Sequence, residues 1–296
     1  MVILYLKKMD KILINLLLIE IKAKNQISEL EDNYILEKLN SYFLTNGDIR
    51  KKLEKEYEVK KEKISKSKCF KEIVKTIRKD IGIVYGSFLT SEFTKKEKLL
   101  ENTKNKEEIY ELLKLHKSTR ERVNFYDEIY KQIFTWYSPK VGICDLACGL
   151  NPLSYFMFEN KLPKNFIFFA SDLNPKDMNY LNSFFKKFKL NAQAVAYDIT
   201  QLNFLLDKKF AVCDLVFLFK ALDSFESAKK NISKEILEKI PQKHIVVSFP
   251  TKSLVSKEEF KIEKRNWLFN FLDKKGWNYQ TFEVENELFI LINKNN

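Results

Sequence analysis

Val141–Leu153 reads VGICDLACGLNPL. A short apolar run ends on Asp145, turns tightly through Ala147-Cys148-Gly149 and heads towards a helix, the strand–turn–helix opening of a doubly wound sheet. A second apolar run, Phe166–Ala170, ends on Asp172. An acid at the tip of the second strand of such a sheet lies where the two hydroxyls of a ribose are hydrogen-bonded. The first turn carries one glycine, Gly149, where a dinucleotide fingerprint carries three so that a pyrophosphate can approach backbone amides. A nucleoside site without phosphate machinery fits S-adenosyl-L-methionine better than NAD or ATP. The residues therefore point to methyl transfer.

Working outward, strands are expected at 141–146, 166–171, 192–197, 213–219 and 244–249. Helices are expected from about 153, at 175–188, 233–240 and 257–275, and two closing strands near 277–284 and 287–293. Alternation of this kind predicts an α/β fold with a mostly parallel sheet and helices on both faces. The short Glu285-Asn286 connection predicts an antiparallel hairpin at its edge, and seven strands ending in a hairpin are the layout of class I methyltransferases. Ser118-x-x-Glu121 has the form of a capping box, predicting a helix from there to about Phe134. Upstream, the apolar spacing is helical. The expected division is a basic helical domain over 1–110 and a methyltransferase domain over 111–296.

Composition bounds the partners. The 296 residues carry 52 Lys and Arg against 40 Asp and Glu, a net charge of +12 that favours a polyanionic partner. Between Arg50 and Lys79 stand 13 basic residues against five glutamates. There Phe70, Ile73, Val74, Ile77, Ile81 and Val84 form one helical stripe, while Lys71, Lys75, Arg78 and Lys79 lie off it, facing solvent or phosphates. Four scattered cysteines make no disulfide framework, and Cys144 and Cys148 lack a second ligand pair, so no metal is expected. The uncharged N-terminal run Ile12–Ile19 is far short of the roughly 20 residues that span a bilayer. No cleavage site follows it. It is expected to pack as a helix in a cytoplasmic, monomeric protein.

Five blocks, in order, resemble the 16S rRNA (guanine-N7) methyltransferases of aminoglycoside resistance, the Arm/Rmt group. They are IVYGSFLT (83–90), LHKSTRERVNFYDEIYKQIF (115–134), CDLACGLNPLSY (144–155) with ASDL (170–173), VFLFKALDSFE (216–226), and VSFPTKSL (247–254) with ELFILINKN (287–295). The similarity runs from about Ser65 to the C-terminus. It implies S-adenosyl-L-methionine as cofactor, held by Phe88, His116, Lys117, Ser118, Arg122, Ala147, Gly149, Asp172, Asp198, Ile199 and Phe219, with the small ribosomal subunit and its 16S rRNA as partner.

Several of these assignments have a physical basis of their own. Arg122 can fork the methionyl carboxylate, its ordinary alternative being a surface ion pair with Glu121 or Asp127. Asp198, ending the third strand, suits the adenine amine; its ordinary role is a helix cap. Phe88 would cover the cofactor, and His116 is expected to pack beside it rather than act as acid or base. Asn151-Pro152 would shape the loop at the sulfonium. Lys220, Lys252 and Ser253, at the C-terminal ends of strands, are candidate substrate contacts.

Guanine N7 has a free lone pair and no proton to lose, so alignment is the main requirement and no general base is expected. The chain reads Phe219-Lys220-Ala221-Leu222 where exocyclic-amine methylation would place Asn-Pro-Pro-aromatic. Val255–Glu259 replaces the family's Gly-rich basic loop near the target base, and a glutamine the family often carries after the fourth strand is absent near Ala228. The nucleotide methylated is thus left open. Alternative readings are methyl transfer to another RNA base or a small molecule, and a non-catalytic RNA-binding adaptor. The basic N-terminal region disfavours a small-molecule substrate, and the joint presence of Arg122, Gly149, Asp172 and Asp198 disfavours an adaptor.

Overall fold

The computed structural model describes residues 6, 9–24, 27–28, 30, 32–84, 93–251 and 265–294. Phe88, Lys252 and Ser253, and the first part of the helix expected at 257–275, lie outside these described residues. The chain divides into two compact units, Met1–Ser87 and Phe88–Asn296.

The first unit is helical: α1 (Lys11–Lys22), α2 (Asp32–Thr45), α3 (Gly47–Lys60) and α4 (Lys68–Val84). Asp10 caps α1 by accepting from the amides of Ile12 and Leu13, and Leu13, Leu17, Leu18 and Ile21 are buried. Leu13, Leu17 and Leu18 of the N-terminal apolar run thus pack inward, while Ile12 and Ile19 stay exposed. No helix among the described residues is long and apolar enough to cross a membrane. On α4, Phe70, Ile73, Val74, Ile77 and Ile81 are all buried. Lys71, Lys75 and Lys79 are exposed on the same helix. Arg78 departs from the expected solvent face. Its guanidinium donates to the carbonyls of Glu20 and Ile21 and pairs with the Glu20 carboxylate. A cation at the end of α1 meets carbonyls that the helix cannot itself satisfy, so Arg78 ties α4 to α1.

The second unit opens with α5 (Lys96–Asn102), α6 (Lys106–Leu113), α7 (Lys117–Arg122) and α8 (Tyr126–Trp136). The helix expected from Ser118 to Phe134 is thus two helices broken at Val123–Phe125. His116, not Ser118, is the N-cap of α7. The expected capping box does not form, because Ser118 Oγ is bonded to His116 Nδ1 and Glu121 to Lys220.

Seven strands follow: β1 (Gly142–Leu146), β2 (Ile167–Asp172), β3 (Ala192–Ala196), β4 (Leu215–Phe219), β5 (His244–Pro250), β6 (Asn278–Val284) and β7 (Glu287–Asn293). The sheet order is β3-β2-β1-β4-β5-β7-β6. The first five strands are parallel, and β7 enters antiparallel between β5 and β6. Between strands lie α9 (Pro175–Lys187), α10 (Lys208–Val212), α11 (Leu222–Ala228), α12 (Ile232–Lys239) and α13 (Asn266–Lys275). The helix expected from about 153 is instead a run of 3-10 turns, Asn151–Met157 and Glu159–Lys161.

Strands buried on both faces read as near-continuous apolar runs, and the core is accordingly double. One face packs Cys144, Leu146, Val216, Leu218, Val247 and Ile290 against Ile236, Leu237, Leu268 and Leu272. The other is aromatic, with Tyr155 on Phe168 (centroids 4.4 Å apart) and Tyr130 on Phe158 (4.2 Å). Register pairs Asp145 with Ala170 and Phe217. The first strand therefore delivers its acid to the aromatic face.

Lys96 of α5 is buried and ion-paired with Asp177 of α9, which also accepts from Asn174 Nδ2 at 3.0 Å. Removing one partner of such a pair leaves a buried charge uncompensated. Lys96→Met should destabilise the protein by about 3–5 kcal/mol. The double variant Lys96→Met/Asp177→Leu should recover most of that, as read by denaturant unfolding. Equal losses in the single and double variants would show that packing, not charge, governs this contact.

Candidate active site

Two strand ends carry strained turns. The chain leaves β1 through Ala147 at φ 52° and Gly149 at φ 51°, and leaves β4 through Lys220 at φ 54°. Left-handed backbone at a residue with a side chain costs of order 1–3 kcal/mol and persists only where the surroundings enforce it. β1 and β4 are neighbours from which the chain departs in opposite directions, to β2 on one side and β5 on the other. That is the switch point of a doubly wound sheet, where a crevice opens beyond the strand ends.

On the β2 side, Asp172 Oδ2 accepts from the Gly149 amide at 2.7 Å and Oδ1 from the Leu173 amide at 2.6 Å. The carboxylate at the tip of β2 therefore holds the β1 turn in shape. Burial pushes its pKa up to about 6 against the pull of those two amides. A β-carbon on Gly149 would come within 3.0 Å of the His116 ring. The turn thus rests directly on this histidine. Asp198, at the end of β3, caps the 3-10 turn Ile199–Gln201 by accepting from Thr200 N (3.0 Å) and Thr200 Oγ1 (2.6 Å). Ile199 is buried beneath it.

The centre is a chain of buried polar groups. Asp145 Oδ2 accepts from Asn151 Nδ2 at 2.7 Å and from the Tyr155 hydroxyl at 3.3 Å. Asn151 Oδ1 accepts from the Tyr126 hydroxyl at 2.9 Å and faces Arg122 Nη1 at 3.5 Å. Burial raises the Asp145 pKa to about 7, opposed by Asn151, Arg122 and Tyr155. Its Oδ1 is buried with no hydrogen-bond partner among the described residues.

Arg122 is 3% exposed and forks Glu287, the first residue of β7, with Nε–Oε2 at 2.9 Å and Nη2–Oε1 at 2.7 Å. Its guanidinium also lies over the Phe219 ring, 5.0 Å from the centroid. Lys220 Nζ bridges Glu287 Oε2 (3.1 Å) and Glu121 Oε2 (2.6 Å), and Ser248 Oγ donates to Glu287. Burial alone would raise the Glu287 carboxyl, but Arg122 and Lys220 outweigh it and hold the group below the ordinary range. The fork expected for a methionyl carboxylate is therefore closed on Glu287, not on Glu121 or Asp127. Lys220, expected as a loop contact, is a buried member of the same network.

His116 Nδ1 and Ser118 Oγ are 2.8 Å apart. Burial, then the charges of Arg122, Lys220 and Lys117, depress the imidazole pKa to about 3. The ring is neutral and a poor proton acceptor. The second histidine, His244, begins β5 and stacks on Tyr137 at 3.5 Å between centroids, at the opposite end of the strands.

Of the expected residues, the structure gathers His116, Ser118, Arg122, Ala147, Gly149, Asn151, Asp172, Phe219 and Lys220 round the switch point. Pro152 begins the 3-10 turn beside Asn151. The thiols of Cys144 and Cys148 are buried and raised by burial. Glu287, Ser248 and Tyr126 were not foreseen. Their one signal is local: Glu287 is a charge opening the otherwise apolar strand ELFILIN, and such a residue is almost never buried unless paired.

The folded-state pKa of Asp145, about 7, lies above the ordinary carboxylate range, so the folded state binds the proton more tightly. Stability from this group is complete below the unfolded pKa and is lost as pH rises through the folded one. Asp145→Asn should therefore gain on the wild type as pH rises from about 4 to about 7 and hold a constant difference above that. Thermal unfolding across this range checks it, and a pH-independent difference would show that Asp145 is ionised throughout.

Comparison with known proteins agrees with this geometry. The family model for the ribosomal RNA methyltransferase FmrO matches residues 61–292. The 16S rRNA (guanine(1405)-N(7))-methyltransferase of Micromonospora rosea is 27% identical over 232 residues, spanning 75% of this chain and 82% of that protein. The protein of the same name from Micromonospora echinospora is 28% identical over 183 residues; there the match spans 62% of this chain and 64% of the relative, just under two thirds. Among solved structures, the 16S rRNA methyltransferase RmtF in complex with S-adenosyl-L-homocysteine superposes with a TM-score of 0.74 at 21% identity, covering 97% of this chain and all of RmtF. The 16S rRNA methylase ArmA gives 0.53 at 26% identity over 67% of this chain and 97% of ArmA. With a matching family model over most of its length and the crevice at the β1–β4 switch point, this chain belongs to the FmrO family of ribosomal RNA methyltransferases.

Proposed function

We infer that the protein transfers a methyl group from S-adenosyl-L-methionine to N7 of a guanine in the decoding region of 16S rRNA, acting as a cytoplasmic monomer on the small ribosomal subunit. Methylation there is the chemistry of aminoglycoside resistance, the physiological role that this reading implies. The observation that carries the choice of acceptor is the likeness to relatives named as 16S rRNA (guanine(1405)-N(7))-methyltransferases. The histidine beside the crevice, held neutral with a pKa of about 3, is not suited to take a proton from an amine nucleophile. Guanine N7 offers its lone pair without losing a proton, so alignment supplies most of what the reaction needs.

The donor set fits the cofactor. A carboxylate accepts about four hydrogen bonds, and Asp172 uses one lone pair of each oxygen on backbone amides. The capacity that remains suits two ribose hydroxyls. Asp198 would meet the adenine amine, with Ile199 and Phe219 as apolar walls. Arg122, through the Nη1 not forked to Glu287, would meet the methionyl carboxylate. Ala147, Gly149, His116, Lys117 and Ser118 would shape the turn around it, with Asn151 and Pro152 at the sulfonium. Bound, the cofactor supplies an electrophilic methyl on a sulfonium. The protein's own groups orient donor and acceptor, and none must hold a proton.

On the first unit, exposed Lys71, Lys75 and Lys79 recur every four residues along α4, a stripe suited to phosphates. Arg78 is committed to α1.

Labelled cofactor incubated with small subunits should yield one N7-methylguanosine, detected by strand scission after reduction and aniline treatment. Absence of that product would overturn the assignment. Single-turnover rates at saturating cofactor should stay flat from about pH 7.5 to 9, since no base titrates. Cofactor affinity should fall as pH drops through about 6, where Asp172 takes up a proton. Asp172→Ala should weaken cofactor binding by roughly 1–3 kcal/mol, measured by titration calorimetry.

Reversing Lys71, Lys75 and Lys79 to Glu should lower affinity for small subunits and flatten the log–log salt slope by about one unit per lost phosphate contact. An unchanged slope would make this a solvated face.

A further inference from the structure

Over the ends of β4 and β7, Glu121, Phe125, Ile129 and Lys220 face the β6–β7 turn (Val284–Glu287) across a small cleft of about 170 Å³. Sheet order fixes its place. Gly149, Asp172 and Asp198 stand at the ends of β1, β2 and β3, whereas the cleft lies on the other side of the switch point. Arg122 lines it and also faces Asn151, so the cleft and the crevice share a wall. Phe125 and buried Ile129 give it an apolar side.

Its charges are graded from floor to mouth. Glu287 is buried and neutralised by Arg122 and Lys220. Glu121 is held by the same Lys220 at 2.6 Å, but its side chain is 41% exposed. A half-exposed carboxylate fixed by a buried ammonium at the rim of this cleft is arranged to accept hydrogen bonds from a ligand.

We propose that this cleft seats the acceptor base and that Glu121 selects guanine, its carboxylate accepting from the N1–H and the 2-amino group. The assignment rests on the reading of the protein as a guanine-N7 methyltransferase. N7 is common to guanine and adenine, so the reacting atom itself cannot tell them apart. O6 of guanine and the 6-amino group of adenine differ beside it, and the opposite edge differs further. There guanine presents two donors to a carboxylate, while adenine presents an N1 lone pair that the carboxylate repels, and lacks the 2-amino group. A paired contact of this kind carries roughly 1–3 kcal/mol of base discrimination, about 5- to 150-fold.

The experiment uses the full chain and small subunits reconstituted from transcribed 16S rRNA carrying either guanine or adenine at the mapped position. Wild type should methylate the guanine subunits and strongly disfavour the adenine ones. Glu121→Gln keeps an acceptor for Lys220 but removes one of the two acceptors offered to the base. It should bind S-adenosyl-L-homocysteine as wild type does, yet lose at least about tenfold of the guanine-over-adenine ratio in single-turnover rate. Should that variant fail to bind the product, Glu121→Asp, which keeps the charge, serves instead and should narrow the ratio less than Glu121→Ala. Cofactor binding with an undiminished ratio in all these variants would overturn the role of Glu121 while leaving the methyltransferase reading intact. A wild type that methylates neither subunit would overturn both.

Discussion

The carboxylate of Glu287 is the group on which the second unit depends. It opens β7, is 4% exposed, and collects Arg122 from α7, Lys220 from the end of β4 and Ser248 from β5. Each partner would be costly if buried alone: two cations without a counter-charge, or an anion without donors. Together they satisfy one another, and with Glu121 the cluster contains two cations and two anions. It joins positions 165 residues apart in the chain. The antiparallel insertion of β7 between β5 and β6 is what brings Glu287 to the C-terminal ends of the parallel strands. A continuous parallel arrangement at that edge would have put the start of the last strand at the other end.

That cluster explains how the turns after β1 and β4 hold their strained backbones. Lys220 sits at positive φ with its amide donating to Ser248 and its ammonium locked by two carboxylates. Ala147 and Gly149 are held from the far side, by Asp172 through the Gly149 amide and by the His116 ring beneath Gly149. Strain of this kind at a switch point is preorganisation: the loops are set before any ligand arrives. The buried carboxylates bear the electrostatic consequence, for Asp145 and Asp172 are both raised far above the usual carboxylate range by desolvation. Both carboxylates are tied up in holding the site together, Asp145 by Asn151 and Tyr155 and Asp172 by two backbone amides.

The first unit works on a different principle. Its helices are fixed by a continuous apolar stripe and by Arg78 on the end of α1, and its exposed lysines are free of those duties. On α4, Arg78 thereby holds the unit together, Lys68 pairs with Glu72, and Lys71, Lys75 and Lys79 can meet a polyanion. Net charge alone does not reveal that division.

The sequence by itself determined the sheet. Apolar runs ending in Asp145 and Asp172, a single glycine in the first turn, and helix-period stripes between strands dictate an α/β doubly wound fold, because local pattern decides which residues can be buried. It also placed Asp172 and Asp198 at strand tips, since strand position follows from the same runs. Partnerships across the chain were not legible. Arg122 reads locally as a helix-start cation and Ser118-x-x-Glu121 as a capping box, yet the tertiary fold sends Arg122 to Glu287 and Glu121 to Lys220. The 3-10 turns at Asn151–Met157 likewise replace an expected helix, because Asn151 is drawn to Asp145 and Tyr126. Buried charges must find counter-charges wherever the fold brings them, and sequence spacing carries no record of contacts formed over such distances.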